Sequence, residues 1–225
     1  MAPQIKTPGV YIEEKNAFPN SVVEVATAVP AFIGYTETAN RGHTDLTGVP
    51  TRVTSLAEYE LMFGAAPKSL FTMKTENGRT TLTADAASRF LLYYSIRFFY
   101  DNGGGPCWIV SIGNYDASSP KVASAFTDAL PALEKEQEPT MIVAPDAVLL
   151  SQADWQTVSN QALLHCTELR SRVAILDIFD GDKERTNADD DVISGTSGFR
   201  TAITSDFPSY GMTYYPWVNT SIVES

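Results

Sequence analysis

Histidine and cysteine are scarce in this 225-residue sequence, with two of each. Cys107 lies in an apolar run and Cys166 in a helical pattern, so both read as small buried hydrophobes. A disulfide framework or a zinc cluster would need more cysteines at closer spacing. His43 sits in a glycine-containing loop. His165 adjoins Cys166, but neighbouring helix positions point about 100° apart, which rules against a Cys-His nucleophile pair. Basic residues are also few: 16 Lys and Arg against 27 Asp and Glu, a net charge of −11. Such a field repels nucleic-acid phosphates and anionic membranes, so neither is expected as a partner. No run reaches the roughly 18 uncharged apolar residues of a membrane span, and no basic start leads into an apolar stretch. A soluble chain made in the cytoplasm is expected. G-x-S-x-G, H-E-x-x-H, C-x-x-C and a G-x-G-x-x-G after a strand are all missing, and no repeat of 20 to 50 residues is found. The usual enzymatic signatures are absent.

What the sequence does have is an apolar centre, Ala84 to Gly113. Asp85 to Tyr100 is crowded with Phe90, Leu91, Leu92, Tyr93, Tyr94, Ile96, Phe98 and Phe99, and predicts a helix buried around most of its circumference. Cys107 to Ile112 predicts a strand buried on both faces. Between them lies Asn102-Gly103-Gly104-Gly105-Pro106. Phosphate loops run strand, glycines, helix; here the glycines follow a helix, and the carbonyls of a helix C-terminus repel anions. A helix cap is therefore expected.

Elsewhere, strand and helix patterns alternate. Ala31 to Tyr35 reads as a buried strand after Pro30. Arg52 to Gly64 reads as a helix with Thr54 or Ser55 as N-cap, Glu58 as in a capping box and Gly64 as stop. Lys68 to Thr83 predicts a hairpin at Asn77-Gly78. Ser119-Pro120 opens a predicted helix that Pro131 kinks or divides before Leu133. Thr140 to Ala144 and Arg172 to Phe179 predict strands around a long helix, Gln152 to Arg170. A short helix over Gly198 to Ser205 and a last strand over Tyr210 to Val218 follow. This order predicts an α/β fold: a mostly parallel sheet with helices on both faces. Residues 1–20 stand apart. Val10 and Ile12 share a face of one short strand, isolated by Pro8-Gly9 and Phe18-Pro19, which needs a sheet from elsewhere. The expected organisation is an extended N-terminal arm, 1–20, and an α/β domain, 21–225.

One segment could hold a metal or phosphate: the acidic stretch with Asp177, Asp180, Asp182, Glu184, Asp189, Asp190 and Asp191, which follows a strand end where α/β folds keep ligands. Its spacing does not match a calcium loop, and Lys183 and Arg185 dilute the field. A solvated loop is expected, with Asp189, Asp190 and Asp191 replaceable together. The alternative is a flavodoxin-like enzyme or phosphate- or metal-binding domain using Asp177 and Asp180.

Five stretches in order carry a family likeness: KTPGVYIEE, VATAVPAFIGYT, SLAEYELMFG, FFYDNGGGPCWIVSIG and YYPWV. Together they resemble the sheath proteins of contractile tails, found in bacteriophages, tailocins and extracellular contractile injection systems. The resemblance implies a structural subunit without catalysis or cofactor. It implies polymerisation as helical rings around an inner tube, and contraction that drives the tube through a target envelope. Implied partners are other copies of the chain, the inner tube protein, and baseplate and tail-terminator proteins. The implied location is the bacterial cytoplasm during assembly, then a virion tail or released particle. An N-terminal arm that adds a strand to a neighbouring subunit is implied too, and Thr7, Pro8, Gly9, Val10, Tyr11, Ile12, Glu13 and Glu14 match it. Sheath subunits usually continue past the YYPW strand into a further inner domain and C-terminal arm. The sequence ends at Ser225, so that domain is expected to be missing, in a portion of a longer protein or in a short variant.

Overall fold

The computed structural model describes residues 28–76, 78–116, 118–186 and 188–222. The proposed arm, Thr7 to Glu14, lies outside them. In chain order the strands begin with β1 (Pro30–Thr36), a small ribbon of β2 (Asn40–Arg41) and β3 (Thr44–Asp45), and β4 (Thr51–Val53). Helix α1 (Leu56–Phe63), the hairpin of β5 (Phe71–Glu76) and β6 (Arg79–Ala84), and helix α2 (Leu92–Asp101) precede β7 (Cys107–Asn114). Then come α3 (Ala123–Thr127), α4 (Leu130–Leu133), β8 (Met141–Val143), α5 (Gln152–Leu169), β9 (Val173–Leu176), α6 (Phe199–Ala202) and β10 (Gly211–Thr213).

The main sheet has the order β10-β9-β8-β1-β7-β4. Every pairing in it is parallel except β4 with β7, which runs antiparallel at the edge. The α/β expectation therefore holds as a mixed, mostly parallel sheet. Alternation along the strands divides the core into two layers. Ala31, Ile33, Val110 and Ile142 face α3, α4 and α5, where Phe126, Leu133, Leu163 and Cys166 are buried. Phe32, Cys107, Ile109 and Val53 face α1 and α2, against Tyr59, Phe63, Leu92 and Ile96. Helices cover both faces. Among the described residues no helix is long and apolar enough to cross a membrane.

Local chemistry explains most boundaries. Ser55 Oγ accepts from Glu58 N at 3.2 Å, while the Glu58 carboxylate reaches back to Thr54 N (2.7 Å) and Thr54 Oγ1 (2.8 Å), so the capping box closes one residue earlier than expected. Gly103, at φ 82°, closes α2: its N–H and that of Gly104 donate to Tyr100 O and Phe99 O, as a helix stop requires.

Several expected boundaries need correction. The central helix begins at Leu92, not Asp85, because Asp85 instead caps a single 3₁₀ turn over Ala86–Ser88. It is also one-sided: Leu92, Tyr93 and Ile96 are buried, whereas Phe98 is 44% exposed. The helix expected from Pro120 starts at Ala123, and the segment from Arg52 opens as strand β4 before α1. The last strand shrinks from Tyr210–Val218 to three residues, since β10 pairs only with β9 over Gly211–Thr213.

Candidate functional site

The strand order reverses at β1, which has β7 on one side and β8 on the other. In open α/β sheets the crevice beyond the carboxyl ends at such a switch point is where ligands bind. Here that place is occupied by Asp146, three residues past the end of β8, in a 3₁₀ turn over Pro145–Leu149. Asp146 is fully buried. Because β8 ends at Val143, the N–H of Tyr35 on β1 has no strand partner there; it donates to Asp146 Oδ2 at 2.9 Å. The N–H of Leu91 donates to Asp146 Oδ1, so the same carboxylate caps α2, whose N-cap position offers no side-chain acceptor of its own. A protein carboxylate thus sits at the helix N-terminus where an anionic ligand would otherwise be held.

Burial pushes the Asp146 carboxyl up to about 6, against the pull of the Leu91 and Tyr35 N–H groups and of Lys121. Close packing confines it further. A Cβ on Gly34 would stand 2.6 Å from Asp146 Oδ2, so residue 34 must lack a side chain. Tyr35 packs edge-on against Phe90 and Phe126, and Lys121 Nζ lies 4.1 Å over the Phe90 ring. Nothing in the sequence reading pointed to Asp146. Its signal is an aspartate just beyond the carboxyl end of a buried strand, Thr140 to Ala144.

The cysteines and His165 are placed as their neighbours dictated. Burial pushes the Cys107 thiol up to about 11 and that of Cys166 up to about 12, far from the thiolate that nucleophilic chemistry needs. His165 is held down to about 4 by burial and by the Arg172 guanidinium, 3.4 Å from its Nε2. Arg172 is itself buried, and donates to Leu133 O at 3.0 Å, at the end of α4, and to Glu136 O at 2.6 Å, three residues beyond it. His43 is exposed.

The acidic segment departs from the solvated-loop expectation at one residue. Asp191 is 2% exposed. Its carboxylate takes Arg185 Nε at 2.9 Å and the N–H groups of Thr186 (2.9 Å), Ile193 (2.8 Å) and Ser194 (2.7 Å). The Arg185 guanidinium, and then the Ser194 N–H, hold its carboxyl far below the ordinary carboxylate range. Asp191 is therefore the internal tie of the loop, while Asp189 and Asp190 remain exposed. Asp180 pairs with Lys183 Nζ at 2.6 Å, and Asp177 presents its main-chain oxygen to Trp155 Nε1 at 3.0 Å. A cavity of about 410 Å³ lies between this loop and the start of α5, lined by Trp155, Phe179 and Phe199 and by Asp180, Lys183, Asp189 and Asp190. Among the described residues no group of three or more His, Cys, Asp or Glu could hold a metal ion.

Asp191→Asn is accordingly expected to lower the melting temperature by about 5 °C, since the donors it satisfies lose an acceptor. The pair Asp189→Asn with Asp190→Asn should melt like the parent. Differential scanning calorimetry of the two variants separates the tie from the solvated positions; equal midpoints would leave Asp191 without that role.

No protein-family model matches the sequence, and a search of curated proteins found no match. The C-terminal aromatics complete the geometry. Tyr215 Oη donates to Lys183 O at 2.6 Å and Trp217 N to Gly181 O at 3.0 Å, so the segment after β10 crosses back over the acidic loop. Tyr214, at 71% exposure, is not in the core. A second groove, about 380 Å³, runs beside α2 between Leu91, Tyr94, Phe98, Val148, Tyr214 and Trp217.

Proposed function

We propose that this chain is a structural subunit of a contractile tail sheath, which polymerises as helical rings around an inner tube and contracts to drive that tube through a target envelope. The five ordered stretches of likeness carry the reading. The filled switch point supports it: the crevice where a doubly wound enzyme holds its ligand contains Asp146 and packed aromatic rings. Work in such a polymer comes from exchanging one set of subunit contacts for a better one, which needs surfaces and not a catalytic centre. The partners are other copies, the tube protein, and baseplate and terminator proteins, assembled in a bacterial cytoplasm into a tail or released particle.

The arm gives the test. A strand of four or so residues cannot be stable alone, and added to a neighbour's sheet it gains main-chain hydrogen bonds while Val10 and Ile12 set the register. Deleting residues 1–14 should leave the melting transition of the subunit in place and abolish sheaths when the chain is co-expressed with the remaining particle components. Negative-stain microscopy reads the outcome. Long contractile sheaths from the deleted chain would remove the arm from the assembly. Absence of tubes or rings from the parent under the same conditions would sink the sheath reading.

The cavity that Asp180 lines, and Asp177 does not, keeps a second reading, a phosphate-binding α/β domain using Asp180. Thermal stabilisation by a nucleotide or phosphate, lost in Asp180→Asn, would favour it.

A further inference from the structure

Residues past the carboxyl ends of β8 and β9 line the groove beside α2. Ala174 and Leu176 of β9 are buried toward α5, so alternation places Asp177, like Ile175, on the face that carries α2. Opposite it stand Leu91, Tyr94 and Phe98 from α2 and its N-cap, and the segment after β10 adds Tyr214 and Trp217. Asp177 is the one charged side chain among the described residues that line the groove. Arg97 of the same helix does not line it and pairs with Asp101 at 3.8 Å.

The bond from Trp155 Nε1 goes to the main-chain oxygen of Asp177, and its carboxylate takes no hydrogen bond or ion pair among the described residues. Asp177 remains accessible to solvent. Even so, the apolar side chains crowded about it push its carboxyl up from the ordinary value, and no donor draws it back. A single carboxylate in an aromatic groove suits one positive charge on an apolar stem. Arginine fits best, because its guanidinium forks onto a carboxylate, stacks on aromatic rings and is less strongly hydrated than an ammonium. A phosphate would be repelled, and a metal ion would need more ligands than one carboxylate. The walls decide where the arginine comes from. Phe98, Tyr214 and Val218 are 44%, 71% and 78% exposed, far more open than the walls of a pocket that encloses a small ligand. Exposed apolar surface that continues past a pocket marks a protein contact. With a net charge of −11, two copies of this chain repel each other at long range, whereas a basic partner is drawn in.

We propose that the groove beside α2 is a docking site for a separate, basic partner protein, which inserts an arginine side chain among the aromatic rings and pairs it with Asp177. This goes beyond the sheath reading and does not depend on it.

The test uses the full chain, with a capped Phe-Arg-Phe tripeptide as the probe. Titration followed by NMR should shift the Trp217 indole N–H and the Tyr214 ring signals. Calorimetry should give binding at least about tenfold tighter than for capped Phe-Gln-Phe. D177N removes an unpaired charge, so it should melt like the parent, lose that preference and bind Phe-Gln-Phe unchanged. High salt should weaken binding of the arginine peptide alone. No shift at Trp217 and Tyr214 with about 10 mM peptide would overturn the site. An undiminished arginine preference in D177N would overturn the pairing with Asp177. Two other results would also overturn the proposal. Capped arginine binding as tightly as the tripeptide would put a free cation in the groove, and self-association of the chain that the tripeptide competes away would put a second copy there.

Discussion

Asp146→Ala is expected to destabilise the protein by about 2–4 kcal/mol at pH 7, because it leaves the buried N–H groups of Tyr35 and Leu91 without an acceptor. Relief of a buried charge offsets part of that cost, which is why the figure is not larger. The pH dependence is the sharper signature. The Asp146 carboxyl titrates near 6 in the fold and near 3.8 when unperturbed. The folded state therefore binds the proton first, so this group's stabilisation is full below about 3.8 and is lost as pH rises through about 6. His165 acts in the opposite sense: held down to about 4 from 6.5, it costs stability as pH falls through that range. Urea unfolding between pH 7 and pH 4 should show the parent gaining on Asp146→Ala as the solution is acidified. His165→Asn should lose less stability on acidification than the parent. If the gap between Asp146→Ala and the parent were independent of pH, Asp146 would not be the buried titrating group the geometry makes it.

Trp155→Ala is expected to cost about 3–5 kcal/mol, the range for truncating a buried large aromatic. Trp155 is 1% exposed and its ring lies 5.7 Å from that of Phe179 and 6.1 Å from that of Phe199. It joins α5 to the acidic loop, through those rings and through the bond from its Nε1 to Asp177 O. A drop of roughly 10 °C in melting temperature should follow. Trp155→Phe keeps most of the apolar area and loses the Nε1 donor, so it should fall between the two. A variant Trp155→Ala melting within about 2 °C of the parent would show that the loop is not braced from below.

Periodicity and cap chemistry are local, and the elements they govern were legible: β1, β7 and β8, the hairpin at Asn77-Gly78, α5, and α1 with Ser55 and Glu58. The glycine run after α2 was legible for the same reason, because its place after a helix sets the polarity of the groups it meets. The start of α2 was not. Phe90 and Leu91 carry helical chemistry, yet Phe90 is 4% exposed outside the helix, and the helix waits for the carboxylate of Asp146 at its amino end. Packing against β1 outweighed local propensity there. Asp189, Asp190 and Asp191 are identical in sequence and different in role, since only Asp191 faces Arg185 and three converging N–H groups.

The sequence by itself determined the alternation of strands and helices, the apolar centre, the acidic balance and the lack of familiar catalytic motifs, all of which depend on residue type and short spacing. Only the tertiary structure decided which strands neighbour which, that β4 runs against β7, and that Asp146 is 55 residues from one of its donors and 111 from another. Such contacts join distant positions through the sheet. A carboxylate's role is set by which N–H groups the fold brings to it.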